Sequence, residues 1–440
     1  MSVKISRLPK DDRTNGWSAL LTPRAPRPSL AKDIRADWVV LGAGYAGLAA
    51  ARRLAETRPD EHIALIDAGT VGENASGRNS GFAIDLPHNV GSSLEELEGS
   101  HRFMRLARSA IDQLGQLVET HRIECDWSRD GKFHAAVSER GVREVLEPFR
   151  AELEALEEPH EWIEGEALAK RLGSPHFTAA VYTPGNVLMN PAALTRGLAD
   201  SLPENVTLYE NSPVLEAEFL NGVTLTTSAG SIRAPKMILA ANGFSEQFGF
   251  FRGRFMHLAA HASLTRQLTE EERAAYGVQA PWGLTPANAF AGITMRYTND
   301  HRILIRQGLS YCPSQRVSQE EQASIRRRHK RLFDARFPAL PKVEMEHTWS
   351  GFVCLSRNSA PGFGQVAPTV WSAVCQNAVG VTKGTFGGML AADLATGRDN
   401  PLIADMVSLG EPSALPPRPF LDLGVRARFA WELWSNRHEA

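Results

Sequence analysis

A glycine-rich turn near residue 45 has the residue types and the spacing of a dinucleotide site. Gly42, Gly44 and Gly47 follow a short apolar run and precede a helix-forming stretch. The first glycine permits a tight turn, the second lets the backbone approach a pyrophosphate, and the third lets helix and strand pack closely. Asp67 ends the next apolar run, 20 residues after Gly47, where a carboxylate accepts hydrogen bonds from ribose hydroxyls and disfavours a 2′-phosphate. Together these features predict a bound dinucleotide.

Arg306 is a second candidate functional residue, because it is a charged side chain within an apolar predicted strand. It interrupts an otherwise apolar run that begins at Ile303. A guanidinium in such a strand requires solvent, a partner or a ligand. A paired structural arginine and a ligand contact both remain open.

Longer segments of the chain are similar to a known family. The similar segments are residues 75–81 (ASGRNSG), 181–199 (VYTPGNVLMNPAALTRGLA), 210–218 (ENSPVLEAE), 234–244 (APKMILAANGF), 347–364 (HTWSGFVCLSRNSAPGFG) and 376–397 (QNAVGVTKGTFGGMLAADLATG). With Gly16 and Trp17 of the N-terminal arm, they run in the family's order over nearly the whole chain. The sequence resembles the D-amino-acid-oxidase-like family of FAD-dependent oxidoreductases, and within it the gamma-glutamylputrescine oxidase branch.

This resemblance implies an α/β fold. A Rossmann-type FAD-binding domain is interleaved with a β-sheet-rich, α+β substrate-binding domain, and the cofactor is FAD. The cofactor-binding residues that the motif and the resemblance imply are Gly42, Gly44, Tyr45, Ala46, Gly47, Asp67, Ala68, Ser76, Gly77, Arg78, Asn79, Val214, Ala241, Asn242, Gly243, Gly351, Gly380, Val381, Thr382, Lys383 and Gly384. The helix start at 380–384 has a physical reason as well, because N–H groups there stabilise the anionic reduced flavin. Close packing of that helix under the sheet is the other account of its glycines.

The implied reaction needs little acid–base machinery, since the neutral amine loses a hydride from its α-carbon to flavin N5. No Ser-His-Asp triad is therefore expected. The candidates for substrate contact are Arg306, Trp349 and His261, although Trp349 and His261 are equally or better explained as core side chains. Arg296 and Tyr297 are further even-chance candidates.

The expected activity is oxidation of the CH–NH bond of an amine or amino acid, with O2 as acceptor giving H2O2. A gamma-glutamyl-polyamine-like or secondary amine is the narrower expectation. One alternative is a dehydrogenase of the same fold that passes electrons to a quinone or carrier protein. Another, of a different class, is a non-catalytic dinucleotide-binding regulatory subunit.

Three positions depart from the family's patterns. Thr382 stands where the sarcosine-oxidase branch has a substrate-binding lysine, and Lys383 follows one position later. Cys354 lies within one residue of a cysteine that tethers the flavin in some relatives, but its surroundings favour non-covalent FAD. Ala378 lies where many relatives carry a glycine-containing motif, which leaves the electron acceptor open.

Composition limits the other partners. The 440 residues carry 48 basic and 50 acidic side chains, a net charge of −2, so no global field attracts nucleic acid or an anionic membrane. Four scattered cysteines without a C-x-x-C pair predict no disulfide framework and no metal site. No stretch is typical of a targeting signal or a membrane span, and a reduced cytoplasm is the expected location.

The order of the motifs predicts interleaved rather than consecutive domains. Residues 1–33 form an N-terminal arm, whose part 17–33 is expected to lie extended on the surface. Residues 34–90, 167–244 and 345–397 form the FAD-binding domain. Residues 91–166 and 245–344 form the substrate-binding domain, and 398–440 form a C-terminal extension. The stretch from Ser93 to Glu166 is expected to be largely helical.

Overall fold

The structure is a computed structural model that describes residues 2–87 and 97–440. Its strands are β1 (Ser2–Lys4), β2 (Ile34–Arg35), β3 (Trp38–Leu41), β4 (Ile63–Ile66), β5 (Phe82–Ala83), β6 (Lys132–Ala136), β7 (Glu161–Glu164), β8 (Ala179–Thr183), β9 (Val187–Leu188), β10 (Val206–Tyr209), β11 (Glu216–Glu218), β12 (Val223–Thr226), β13 (Ser231–Ala234), β14 (Lys236–Leu239), β15 (Met256–Thr265), β16 (Trp282–Pro286), β17 (Thr294–Tyr297), β18 (Ile303–Tyr311), β19 (Met345–Leu355), β20 (Gly362–Ala367) and β21 (Val370–Val374). Its α-helices are α1 (Gly16–Ala19), α2 (Tyr45–Thr57), α3 (Ala75–Arg78), α4 (Leu97–His121), α5 (Glu139–Gly141), α6 (Glu147–Ala155), α7 (Gly165–Leu172), α8 (Pro191–Asp200), α9 (Glu270–Tyr276), α10 (Gln319–Arg336), α11 (Gly380–Thr396), α12 (Leu402–Ser408) and α13 (Phe420–Ser435).

A six-stranded sheet among these residues has the order β10-β4-β3-β14-β21-β20. Its strands are parallel except for the antiparallel edge strand β20. Strands β3 and β4 are short and wholly buried, as expected for a parallel sheet covered on both faces. Helix α2 connects them, so the carboxyl ends of both strands lie beside the start of α2.

Helix α11 packs against α2 because glycines remove the side chains between them. A Cβ on Gly388 would lie 2.0 Å from the carbonyl oxygen of Ala46, and one on Gly384 would lie 3.0 Å from the Cβ of Tyr45. Both glycines therefore serve helix packing. The alternative account of the glycine run was close packing under the sheet; at these two positions the close packing is against helix α2.

An eight-stranded sheet of the described residues has the order β19-β15-β18-β17-β16-β6-β8-β7. It is antiparallel except between β16 and β6. Helix α10 buries Ile325 and Phe333, and Phe333 belongs to the core on one face of this sheet. The sheet includes β8 and β19, which the sequence-based division places in FAD-binding ranges. That division remains a prediction, and its boundary between residues 90 and 91 lies outside the described residues.

The stretch 93–166 is largely helical over its described part, as predicted, and its start at Ser93 is outside the described residues. It also contains strands β6 and β7, which pair with β8 at the edge of the large sheet. The prediction that residues 17–33 lie extended on the surface was wrong at their start. Trp17 in α1 is 2% exposed and packs edge-to-face on Trp349, 6.3 Å between ring centroids. The α/β fold class itself is confirmed.

Candidate active site

The glycine-rich turn between β3 and α2 is closed by direct backbone packing. Gly42 has φ +103, in the left-handed region, and a Cβ there would lie 2.7 Å from the carbonyl oxygen of Ala240. A Cβ on Gly47 would lie 1.6 Å from the carbonyl oxygen of Gly42. No residue larger than glycine fits either position, so the turn holds the start of α2 tightly against the sheet.

Asp67 lies directly after β4 and faces this turn. Its Oδ2 accepts a hydrogen bond from the backbone N–H of Ala43 at 2.7 Å, and its Oδ1 accepts one from Gly69 at 2.8 Å. Burial raises the pKa of Asp67, and the two N–H donors oppose that rise. Each carboxylate oxygen has two lone-pair sites, so both retain one for a ligand hydroxyl.

A long cavity runs from this turn to the start of α11, with a volume of about 1670 Å³ including its open mouth. The predicted cofactor residues that line it are Gly42, Gly44, Tyr45, Ala46, Asp67, Ala68, Ser76, Asn79, Val214, Ala241, Asn242, Gly243, Gly380 and Gly384. The predicted residues outside its lining are Gly47, Gly77, Arg78, Gly351, Val381, Thr382 and Lys383. The structure thus gathers most of the predicted set, from six separate stretches of chain, around one space.

Residues 7–10 line the same cavity, and they were not among the predicted cofactor residues. Strand β1 pairs antiparallel with β11, two residues after Val214, and this pairing brings the following residues to the cavity. His257 and Gln315 also line it, and the Gln315 amide Nε2 lies 3.2 Å from the His257 ring Nδ1. Residues 7–10 contain no ligand-binding motif, so their place at the cavity follows only from the pairing of β1 with β11.

The loop that includes α3 is held in place by the N-terminal arm. The Arg78 guanidinium turns away from the cavity to Asp11 at 3.0 Å and Asp12 at 2.7 Å. The Trp17 indole donates a hydrogen bond to the Asn79 carbonyl at 2.8 Å. Arg78 also donates to the carbonyl of Ser350 at 3.1 Å. Arg78 therefore links the N-terminal arm, the loop that includes α3 and strand β19.

The start of α11 presents open space to the cavity. A Cβ on Gly380 would meet no atom within 4 Å. The Oγ1 of Thr382 is buried without a hydrogen-bond partner among the described residues. Lys383 is turned elsewhere, with its Nζ 5.4 Å from the centre of the Phe103 ring, and burial lowers its pKa to about 8. The one-position offset from the sarcosine-oxidase lysine thus directs Lys383 into a packed environment.

The buried Arg296 and the half-buried Arg306 share one face of the eight-stranded sheet. Leu304, Arg306 and Arg296 are on that face because Arg296 pairs with Leu304 in register and alternate residues of β18 point the same way. The Arg296 guanidinium donates to the carbonyl oxygens of Ser80 (3.2 Å), Gly81 (3.0 Å) and Met189 (2.6 Å). This face therefore looks onto the chain that follows α3.

Arg306 differs from Arg296 in having no partner. Its Nη1 is enclosed without a hydrogen bond, and it makes no ion pair with any residue the structure describes. Burial lowers the pKa of Arg306 to about 10, so it stays charged at neutral pH. Its register neighbours, Ala262 and Thr294, offer no negative charge. A partly desolvated cation without a counter-charge is costly, and an anionic ligand would relieve that cost.

Trp349 and His261 are both buried but differ in surroundings. The Trp349 indole donates to the Arg78 carbonyl at 3.0 Å and belongs to the same apolar cluster as Leu304. The His261 ring is bonded through Nδ1 to Ser350 Oγ at 2.8 Å and through Nε2 to Ser310 Oγ at 3.0 Å. Burial and nearby arginines lower the pKa of His261 to about 4, so the ring is neutral at pH 7.

Gly351 and Cys354 mark the strand that passes the cavity. A Cβ on Gly351 would come within 3.4 Å of the Arg78 Cβ, so Gly351 lets β19 approach the loop. The Cys354 thiol lines the cavity and donates to Asn242 Oδ1 at 3.0 Å. Its interaction with Cys375 and its burial raise the pKa of Cys354.

The chain matches the protein family described as DAO, FAD dependent oxidoreductase, over residues 37–394. It belongs to this family. The chain is therefore an oxidoreductase that depends on FAD, as the sequence predicted, and the alternative of a non-catalytic subunit is set aside. The cavity fits the cofactor: Asp67 has free acceptor sites at one end, and Gly380 opens onto unfilled space at the other.

Two relatives are similar over most of their length. A probable oxidoreductase OrdL of Haemophilus influenzae is 24% identical over 411 residues, covering 91% of each chain. The gamma-glutamylputrescine oxidoreductase of Escherichia coli K12 is 24% identical over 391 residues, covering 87% of this chain and 88% of the relative. These matches agree with the predicted family branch.

Solved structures of the same fold include two oxidases. Glycine oxidase from Geobacillus kaustophilus aligns with TM-score 0.70 at 20% identity, over 87% of this chain and all of that one (100%). Iminodiacetate oxidase from Chelativorans sp. BNC1 aligns with TM-score 0.65 at 19% identity, over 83% of this chain and 96% of that one. At these identities the likeness establishes the fold. Within residues 2–87 and 97–440, no helix is long and apolar enough to cross a membrane.

Proposed function

We propose that this enzyme oxidises the CH–NH bond of an amine or amino acid that carries a carboxylate. Bound FAD supplies the acceptor, at flavin N5, for the hydride that leaves the carbon next to nitrogen; the resulting imine is then hydrolysed by water. The observation that carries the proposal is Arg306, a half-buried arginine whose enclosed Nη1 has no hydrogen-bond partner and which makes no ion pair among the described residues, on the sheet face that looks onto the loop after α3.

Arg306 would bind and orient the substrate through its carboxylate. A guanidinium binds a carboxylate through two parallel N–H···O hydrogen bonds, which fix both the orientation and the position of the substrate. Trp349 would support this face as a packed wall. His261 is a positioning residue at most, because both of its ring nitrogens already have serine partners. None of these groups needs to move a proton in the hydride step, provided that the neutral amine binds.

The cavity residues would hold FAD in an extended form. Asp67 would accept from ribose hydroxyls, the turn at Gly42–Gly44 would approach the pyrophosphate, and the start of α11 at Gly380 would face the pyrimidine edge. We propose that FAD is non-covalent. The raised pKa of Cys354 keeps its thiol protonated, and the thiolate is the nucleophilic form.

The narrower substrate proposal is a gamma-glutamylated polyamine or a secondary amine. It rests on the relative named gamma-glutamylputrescine oxidoreductase, and on the carboxylate that Arg306 requires. We propose O2 as the acceptor and a cytoplasmic location. Four buried free cysteines in the described part of the chain support a reducing compartment.

Anaerobic reduction of the purified yellow protein tests the reaction. Gamma-glutamylputrescine, iminodiacetate, glycine and putrescine are added separately without oxygen, and the flavin absorbance is followed. We expect bleaching by carboxylate-bearing amines and little by putrescine, which has no carboxylate. Bleaching by putrescine alone, or by none of a broad amine panel, would overturn the proposal.

Two further measurements separate the remaining alternatives. Rapid H2O2 formation on readmission of air supports the oxidase; slow reoxidation by O2 with fast reoxidation by a soluble quinone supports the dehydrogenase. Acid precipitation tests the linkage, since non-covalent FAD remains in the supernatant. Yellow colour that stays with the pellet in the wild type and is lost in Cys354→Ser would show a covalent link.

A further inference from the structure

The outward side of helix α13 carries an apolar stripe that nothing in the described structure covers. Phe420, Leu423, Ala427, Trp431 and Trp434 recur three or four positions apart and share one face. Phe420 is 69% exposed, Leu423 66%, Trp431 51% and Trp434 65%. Large exposed aromatic patches of this kind mark an interaction site rather than an ordinary surface.

The opposite side of the same helix is docked on the enzyme. Phe429 packs edge-to-face on Phe290, 5.3 Å between ring centroids. Tyr311 donates a hydrogen bond through its hydroxyl to Asp422 Oδ1 at 2.6 Å. Helix α13 is thus held in place by one face, and its outward stripe is fixed in orientation.

The acidic side chains of residues 420–440 all have partners on the protein. Asp422 is engaged by Tyr311, and Glu432 is buried with Arg428 and Asn436 as partners. Glu439 is also buried, and it accepts hydrogen bonds from the backbone N–H groups at 137 and 138. The acidic side chains of 420–440 therefore face inward or are paired.

The arginines of the segment, by contrast, are exposed beside the stripe. Arg428 lies over the Trp431 ring at 4.8 Å and Arg437 over the Trp434 ring at 5.1 Å. Arg418, just before the helix, and Arg426 within it are exposed. Arg418 and Arg428 also form ion pairs with Asp422 and Glu432, whereas Arg426 and Arg437 have no acidic partner among the described residues. The outward surface of α13 is therefore aromatic in the middle with arginines at its borders, in a chain whose net charge is −2.

A basic cleft continues this surface. Arg418 and Arg426 line it together with Arg7, Arg316 and the single acid Glu321, and its volume is about 860 Å³ including its mouth. Arg7 lines both this cleft and the cofactor cavity. An anionic group at the cleft would consequently be held next to the apolar stripe.

We propose that the outward face of α13 and the adjoining basic cleft form a docking surface for an anionic phospholipid membrane. A helix with Trp, Phe and Leu on one side and arginines along its borders lies in the headgroup region, with the apolar side among the acyl chains and the cations at the phosphates. The charge complements a membrane better than a second copy of the chain. A two-fold interface would set this patch against itself and bring the same exposed arginines together.

Vesicle sedimentation with the FAD-loaded full chain tests the proposal, independently of any amine oxidation. Vesicles of phosphatidylcholine alone are compared with vesicles that contain equal parts of phosphatidylcholine and phosphatidylglycerol. We expect at least tenfold stronger binding to the mixed vesicles, a loss of binding in high salt because exposed charges are screened, and a blue shift of tryptophan emission.

Two variants and two matched controls locate the surface. Trp431→Ser with Trp434→Ser, and separately Arg426→Glu, should each reduce binding at least tenfold while the flavin spectrum stays unchanged. The controls are Val407→Ser, an exposed apolar residue on α12, and Arg327→Glu, an exposed arginine on α10; both should bind like the wild type.

Three results would overturn the proposal. The first is equal binding to both kinds of vesicle. The second is unchanged binding by the double tryptophan variant. The third is a dimer by light scattering that the tryptophan variant converts to a monomer while neither protein binds vesicles, which would assign the stripe to a second copy of the chain.

Discussion

Replacing Arg306 by methionine should weaken substrate binding without destabilising the fold. The change removes the charge and keeps a long, flexible apolar stem. A hydrogen bond to a charged group contributes about 1.5–3 kcal/mol, which corresponds to a factor of roughly 10 to 150 in kcat/KM. The loss should appear mainly in KM for carboxylate-bearing amines, with a smaller change in the limiting rate of flavin reduction.

The stability of Arg306→Met follows from what the guanidinium lacks. It makes no ion pair with the described residues, and its Nη1 has no hydrogen-bond partner. No protein acceptor is therefore abandoned when it is removed, and a desolvated charge disappears. The urea midpoint of the FAD-loaded protein should be unchanged or higher.

Arg296→Met is the matched control on the same sheet face. Arg296 satisfies the carbonyl oxygens of Ser80, Gly81 and Met189. The Gly81 carbonyl keeps a second donor, the backbone N–H of Met189 at 3.1 Å. Each of the other two acceptors left without a donor costs about 1–3 kcal/mol, so this variant should lose at least about 2 kcal/mol. The two substitutions should thus have different effects: Arg306→Met raises KM, and Arg296→Met lowers the free energy of unfolding.

Anaerobic stopped-flow reduction and urea unfolding, both at pH 7.5, measure these effects. The reasoning is refuted if Arg306→Met unfolds at clearly lower urea while KM stays the same. It is also refuted if KM rises equally for substrates with and without a carboxylate, because the guanidinium would then act on the fold or on the cofactor and not on an anionic substrate group.

Other substitutions test the surrounding structure. Gly388→Ala should disrupt the contact between α11 and α2 and reduce FAD retention, because its Cβ would lie 2.0 Å from a backbone oxygen; Gly387→Ala should be tolerated, since its Cβ would have ordinary 3.7 Å contacts. FAD content and the unfolding midpoint check this pair, and equal effects would contradict it. Trp17→Ala should cost roughly 3–5 kcal/mol as a large buried truncation and raise the Kd for FAD, measured by flavin fluorescence on dilution; an unchanged Kd would show that the arm does not brace the loop. Lys383→Met should stabilise the protein at pH 7 by at most roughly 3 kcal/mol, since burial lowers the Lys383 pKa from 10.5 to about 8. Between pH 8 and 10.5 the unfolded wild type therefore holds more protons than the folded form, so the free energy of unfolding of the wild type falls as pH drops through that window, and that of the variant does not. Free energies of unfolding at pH 7 and pH 10.5 measure this difference. Parallel pH profiles for the two proteins would contradict the prediction.

The cofactor site was predictable where its parts are close in sequence. Gly42, Gly47 and Asp67 lie within one strand–helix–strand unit, so local spacing sets their geometry, and the structure gathers Gly42 and Asp67 at the same turn. The resemblance extended this to Val214 and Gly380, which line the same cavity. Strands β6 and β7 were missed because their pairing with β8, and not their own composition, makes them strands.

The amino-acid sequence was enough to predict the family, the dinucleotide turn and an arginine in an apolar strand. It did not distinguish Arg306 from Arg296, since both interrupt apolar strands. The folded chain distinguishes them, because the carbonyl groups that satisfy Arg296 come from residues 80, 81 and 189, more than 100 positions away along the chain. Burial and long-range pairing left Arg306 charged and without a partner. The same long-range packing turned the acids of α13 inward and its tryptophans outward.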